Sequence, residues 1–129
     1  MDVGEITESK GDSRRARWIG VYVGVLAALL AVCTLGGDGL ISVVSNAAPR
    51  LMAELVRKAR AGDVSGAREL HLRALPLMRA ATVESNPIPI KAALAMLGLF
   101  EPGLRSPLVQ LDARHDAVVR SALRHAGAL

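Results

Sequence analysis

The sequence predicts an α/β chain that is helical over most of its residues. Three observations predict it. A β-branched and aromatic alternation, VYVGV at Val21–Val25, is followed by an Ala/Leu-rich stretch, a GGDG breaker and a second apolar run at Leu40–Val44. Beyond Pro49, apolar residues recur at three- and four-residue spacing between Pro and Gly stops. Ala, Leu, Val and Arg dominate, with one Trp, one Tyr and one Phe, a composition suited to helices packed through small aliphatic side chains.

In chain order, the first decision is the run WIGVYVGVLAALLAVCTLGG, Trp18–Gly37, which carries no charge and follows the basic flank KGDSRRAR. Its length and flanks fit a membrane-spanning helix or signal anchor. Buried parallel strands are apolar on both faces, so the same letters also fit a strand at Val21–Val25, a helix at Leu26–Leu35 and a turn at Gly36–Gly39. A further strand is then expected at Leu40–Val44, and periodicity alone does not choose between the two readings.

The helices are clearer. Pro49 suits a first helical position, and Leu51, Met52, Leu55, Val56 and Ala59 form one apolar stripe that Gly62 ends. A second helix is expected from near Ser65, with Leu70, Ala74, Leu77, Met78 and Ala81 at helical spacing and a kink at Pro76. The segment Asn86–Pro89 is expected to be extended up to Pro89, where a third helix starts, continues through Ala92–Leu97 and stops at Gly98. Asp112 is the expected N-cap of a last helix that closes at Gly127.

Composition narrows the function classes. The net charge is +4 with thirteen Arg and three Lys, but the charges are scattered and no aromatics interleave them, so nucleic-acid binding is not expected. Cys33 is the single cysteine, sits in an apolar run and is expected to be a buried small hydrophobe in a reducing compartment. His71, His115 and His125 have no ligand-like spacing to a second His, Cys or carboxylate; each is expected on a solvated helix face, and no metal site is expected. Met52, Met78 and Met96 are expected core filler.

The order GGDGLISVVSN, APRLM, GD, ESNPIPIKAAL, LRSPLVQL and a closing HAGAL resembles the dihydrodipicolinate synthase (4-hydroxy-tetrahydrodipicolinate synthase) family of pyruvate-dependent lyases. The resemblance is strong from Gly36 onward and weaker before it. It implies the C-terminal fragment of a (β/α)8 TIM barrel plus a C-terminal helical region. Val3–Thr7 resembles strand six, Tyr22–Gly24 the end of strand seven and Leu40–Val44 strand eight. Residues 1–62 would be the partial barrel and 63–129 the helical region. The family's reaction joins pyruvate to aspartate semialdehyde through a lysine Schiff base, in lysine biosynthesis and with no added cofactor. Gly24 and Ile41 would line the pyruvate pocket, consistent with the placement of barrel sites at C-terminal strand ends.

The sequence departs from the family pattern where the chemistry is carried. In Ile6-Thr7-Glu8-Ser9-Lys10-Gly11-Asp12, aligned on Glu8 and Gly11-Asp12, Thr7 occupies the Schiff-base lysine position. Threonine has no amine and forms no imine. Lys10 is a weak substitute three residues later, and Lys91 is expected to be structural. Only Ser13–Gly20 is left for a crossover that takes a dozen residues or more. Val25 and Leu26 stand where the family usually has acidic residues. A complete barrel takes about 250 residues, so a truncated, decayed or split lyase is expected, inactive alone. It would be cytoplasmic and able to associate with a full-length homologue or with a chain supplying the other barrel strands. The alternative is a single-span membrane protein with a basic helical domain after a Trp18–Gly37 span.

Overall fold

The structure, a computed structural model, describes residues 28–129. The strands expected at Val3–Thr7 and Val21–Val25 lie outside the described residues. Five α-helices follow in order: α1 Leu29–Thr34, α2 Pro49–Arg60, α3 Val64–Ala80, α4 Ile88–Met96 and α5 Asp116–Ala126. Short 3-10 turns at Val44–Asn46 and Ala113–His115 precede α2 and α5.

The helix boundaries follow from side-chain chemistry. Pro49 opens α2, where its missing N–H leaves no bond unmade. Between α2 and α3, Asp63 caps the second helix: its carboxylate accepts from the Gly66 N–H at 2.9 Å and from Lys58 Nζ at 2.7 Å. These two hydrogen bonds hold the Asp63 carboxyl below its ordinary value and the Lys58 ammonium above its own, Lys58 acting first on Asp63. Helix α3 continues through Pro76 to Ala80. Ile88 is already helical, one residue before Pro89, which occupies the first turn that tolerates it. Gly127 ends α5 in the left-handed region at φ 71°, a conformation that costs an L side chain but not glycine.

Helix α3 is the centre of the packing, with α2 on one side and α5 on the other. Its stripe of Ala67, Ala74, Leu77 and Met78 is buried, and Leu55 and Met52 of α2 and Val119, Ala122 and Leu123 of α5 close on it. The small alanines allow close approach of the helices, while the leucines and methionine fill the space between them. Helix α1 packs on α2 and α3 and brings Cys33 into the same core, where it is a free, buried thiol. Helix α4 packs on the Val44–Asn46 turn and on α5, with Pro89, Ile90 and Ala93 buried.

The strand expected at Leu40–Val44 is not formed among the described residues. Residues 37–42 have no regular secondary structure, and Val44 begins a 3-10 turn. A strand exists only through a ladder with its neighbours, and no other strand occurs among the described residues. The local side chains instead favour the turn: Ser45 N–H donates to Ser42 Oγ, the Ser45 hydroxyl donates to the Ser42 carbonyl, and Asn46 Nδ2 donates to the Val43 carbonyl. No helix among the described residues is long and apolar enough to cross a membrane. Of the Trp18–Gly37 run, residues 18–27 lie outside the described residues; the rest forms the six-residue α1, which gives way to a turn at Leu35–Gly36.

Candidate functional site

Three of the four residues singled out from the sequence, Thr7, Lys10 and Gly24, lie outside the described residues. The fourth, Ile41, is fully solvent-exposed at 106%. It stands on the unpaired segment between Gly37 and the Val44 turn, with Leu35 (also well exposed) on the chain just before it. An isoleucine and a leucine side chain open to water are the costly part of this surface, since each would gain from burial.

Beside this segment lies a cleft of about 550 Å³ between the segment and α2, lined by Leu40, Ser45, Met52, Val56, Arg57 and Arg60. Its two guanidinium groups face carboxylates. Arg57 makes a two-pronged hydrogen bond to Glu54, which raises the arginine and lowers the glutamate from their ordinary values. Arg60 lies 3.6 Å from Asp38. The cleft therefore presents an apolar floor and charge that is largely answered within the chain.

What the cleft lacks among the described residues is an amine nucleophile. The described residues contain two lysines, Lys58 and Lys91. A Schiff-base lysine must spend time as the neutral amine, which needs a depressed pKa, whereas the ion pair with Asp63 raises that of Lys58. Lys91 sits on α4, away from the cleft lining, with Nζ donating to the Gly103 carbonyl at 3.4 Å.

Two histidines depart from the solvated faces expected for them. His71 lies on the buried stripe of α3, between Ala67 and Ala74; its Nδ1 is buried without a hydrogen-bond partner, and burial lowers its pKa. His115 is half-buried: its Nε2 accepts from Arg114 Nε at 3.1 Å and lies 3.9 Å from Glu84 Oε1. Glu84 was not singled out from the sequence. Its carboxylate accepts from the Asp112 N–H at 2.9 Å and so ties the 3-10 turn that precedes α5 to the loop after α3. The two residues are 28 apart in the chain, a separation that carries no local signal. His125 is exposed, as expected. No group of three or more His, Cys, Asp or Glu among the described residues is placed to hold a metal ion.

Comparison with known proteins gives this geometry a context. Residues 3–126 match the profile of the Dihydrodipicolinate synthetase family. The 4-hydroxy-tetrahydrodipicolinate synthase of Acidovorax sp. is 42% identical over 132 aligned residues, which take in 96% of this chain and 44% of that protein. The enzyme of the same name from Thiobacillus denitrificans is 49% identical over 106 residues, 82% of this chain and 36% of its own length. Among solved structures, dihydrodipicolinate synthase from Thermotoga maritima superposes with a TM-score of 0.76 at 42% identity, over 81% of this chain and 35% of that one. The chloride-inhibited synthase from Acinetobacter baumannii, complexed with pyruvate, gives 0.76 at 38% identity, over 81% and 36%. The chain thus spans less than half the length of these relatives.

Proposed function

The chain belongs to the dihydrodipicolinate synthetase family, and we propose that it is the C-terminal part of a 4-hydroxy-tetrahydrodipicolinate synthase-like lyase that does not catalyse by itself. On this reading residues 1–62 are the remnant of barrel strands six to eight with their flanking helices, and 63–129 are the C-terminal helical region. The family reaction begins when a lysine amine attacks the pyruvate ketone, water leaves and an imine forms. Thr7 at the lysine position has a hydroxyl, which stops at a reversible hemiketal. Lys10 would have to reach the same carbonyl from three residues further along, in a pocket dry enough to favour loss of water.

The observation that carries this reading is the exposure of Ile41. The resemblance puts this side chain, with Gly24, on the wall of the pyruvate pocket, yet water covers it completely. A pocket closed over Ile41 therefore needs residues from beyond the described ones: on this reading residues 1–27 of the chain, Gly24 among them, supply part of it, and the remaining length of the relatives, from a full-length homologue or a separate chain, supplies the rest. The test is reductive trapping: the full chain is incubated with pyruvate and borohydride, and its intact mass is measured. The expected result is no pyruvate adduct. A stoichiometric adduct overturns the reading, and peptide mapping would then place it on Lys10, Lys58 or Lys91.

A further inference from the structure

A second cleft is independent of the Ile41 surface and of the reading above. It lies between α4, the loop at residues 101–111 and the first turns of α5, with a volume of about 350 Å³. Helix α4 presents two neighbouring stripes. One, through Pro89, Ile90 and Ala93, is buried, as is Ile88 at the edge between the two. The other, at helical spacing through Ile88, Lys91, Ala92, Ala95 and Met96, forms one wall of the cleft. Opposite it stand Leu104 and Leu111, so the floor is apolar. The loop wall is fixed: Gln110 Nε2 donates to the Pro102 carbonyl at 2.7 Å.

Two cations and one carboxylate reach this floor. Lys91 holds the loop only through a 3.4 Å hydrogen bond to Gly103, near the outer limit for such a contact, which leaves two ammonium donors unengaged. Arg120 lines the cleft from α5 and makes no hydrogen bond or ion pair within the described residues. Asp116, one turn earlier, is the single carboxylate in the lining. The balance favours an anion, and the apolar floor favours one with a hydrocarbon tail over a bare inorganic ion. The volume is at the small end of the range for small-molecule sites.

We propose that this cleft binds a small organic carboxylate with a compact apolar tail. The head engages Lys91 and Arg120, the guanidinium offering a fork that matches a carboxylate. The tail lies against Ile88, Met96, Leu104 and Leu111. The sequence gives no local sign of the site, because NPIPIK, the 101–111 loop and α5 contribute one wall each and meet only in three dimensions.

The test is a titration of the isotope-labelled full chain with 3-phenylpropionate, followed by amide chemical shifts. Saturable shifts are expected at residues 88–96, 102–104, 110–111 and 116–120. Arg120→Met and Lys91→Met should each weaken binding at least tenfold, the size of one charge-assisted hydrogen bond. Ala95→Phe should fill the slot and abolish binding, while Arg105→Met, outside the lining, should leave it unchanged. The neutral analogue 3-phenylpropan-1-ol should bind at least tenfold more weakly. Arg120 is exposed, so its variant is expected to keep the wild-type spectrum and gives a clean reading if Ala95→Phe misfolds. Shifts that are absent or scattered over other surface arginines overturn the proposal. So does an alcohol that binds as tightly as the acid, or inorganic phosphate that produces the same saturable shifts.

Discussion

Substituting Ile41 separates folding from association. The side chain is 106% exposed, so Ile41→Ser removes no contact inside the chain, and the unfolding free energy should change by no more than about 0.5 kcal/mol. If the same side chain becomes buried when another chain completes the barrel wall, the variant loses a fully buried aliphatic residue from that interface. Burial of an isoleucine contributes about 1.5–3 kcal/mol, and about 1.4 kcal/mol corresponds to a factor of ten in affinity. Binding should therefore weaken by roughly 10- to 150-fold. The assay is calorimetric titration of the chain with the N-terminal part of a relative, strands one to five expressed separately, alongside thermal melts of both variants. Equal affinities for wild type and variant would refute the reasoning, as would a wild-type chain that fails to bind. A fall of many degrees in the variant's Tm would refute it differently, by showing that Ile41 is already packed.

Two further outcomes test the helical core. Leu55 is completely buried between α2 and α3, so Leu55→Ala should lower the unfolding free energy by about 2–5 kcal/mol in urea titrations; a loss below about 1 kcal/mol would contradict this packing. Burial holds the folded His71 pKa below its ordinary value, so below about pH 6.5 the unfolded chain binds more protons than the folded one. Stability is then complete above that pH and falls as pH is lowered towards the folded pKa; His71→Gln should flatten that part of the Tm–pH curve, and an unchanged slope would show that His71 is not its source.

The helices were legible in the sequence because their limits are set by residues with local physical effects. Pro49 marks a start, Gly62, Gly98 and Gly127 mark ends, and the three- and four-residue spacing between them gives the buried faces. Asp112, expected to cap the last helix, instead caps the 3-10 turn Ala113–His115, and α5 begins after His115 with no side-chain cap. His71 was equally legible in principle. It falls at helical spacing between Ala67 and Ala74 on the buried stripe, and only its polarity argued for a solvated position. Glu84, the 350 Å³ cleft and the open state of Leu40–Val44 were not legible, each for one reason: they depend on residues distant in sequence. Thr7, Lys10 and Gly24, by contrast, are known only through resemblance, and their geometry lies outside the described residues.

The same distinction between local and distant partners bears on the proposed division at residue 62. Helix α2 falls in the part assigned to the barrel, yet Leu51, Met52, Leu55 and Ala59 share one core cluster with α3 and α5 of the helical region. The division thus describes which residues would build the barrel wall, while the hydrophobic core runs across it. This explains how the described part stays well packed although Leu40–Val44 lacks strand partners. Helices satisfy their own backbone groups and need only a buried stripe, which α3 supplies to α2 and to α5 and receives from each. A parallel strand must borrow its hydrogen bonds from neighbouring strands, and among the described residues no strand lies beside residues 37–42. Any chain that completes the barrel should therefore change the 37–43 segment most and the α2–α3–α5 core least. Hydrogen exchange measured with and without the complementing strands would read that contrast directly: among the described residues, new protection confined to those near 37–43 supports it, and new protection spread through α3 and α5 defeats it.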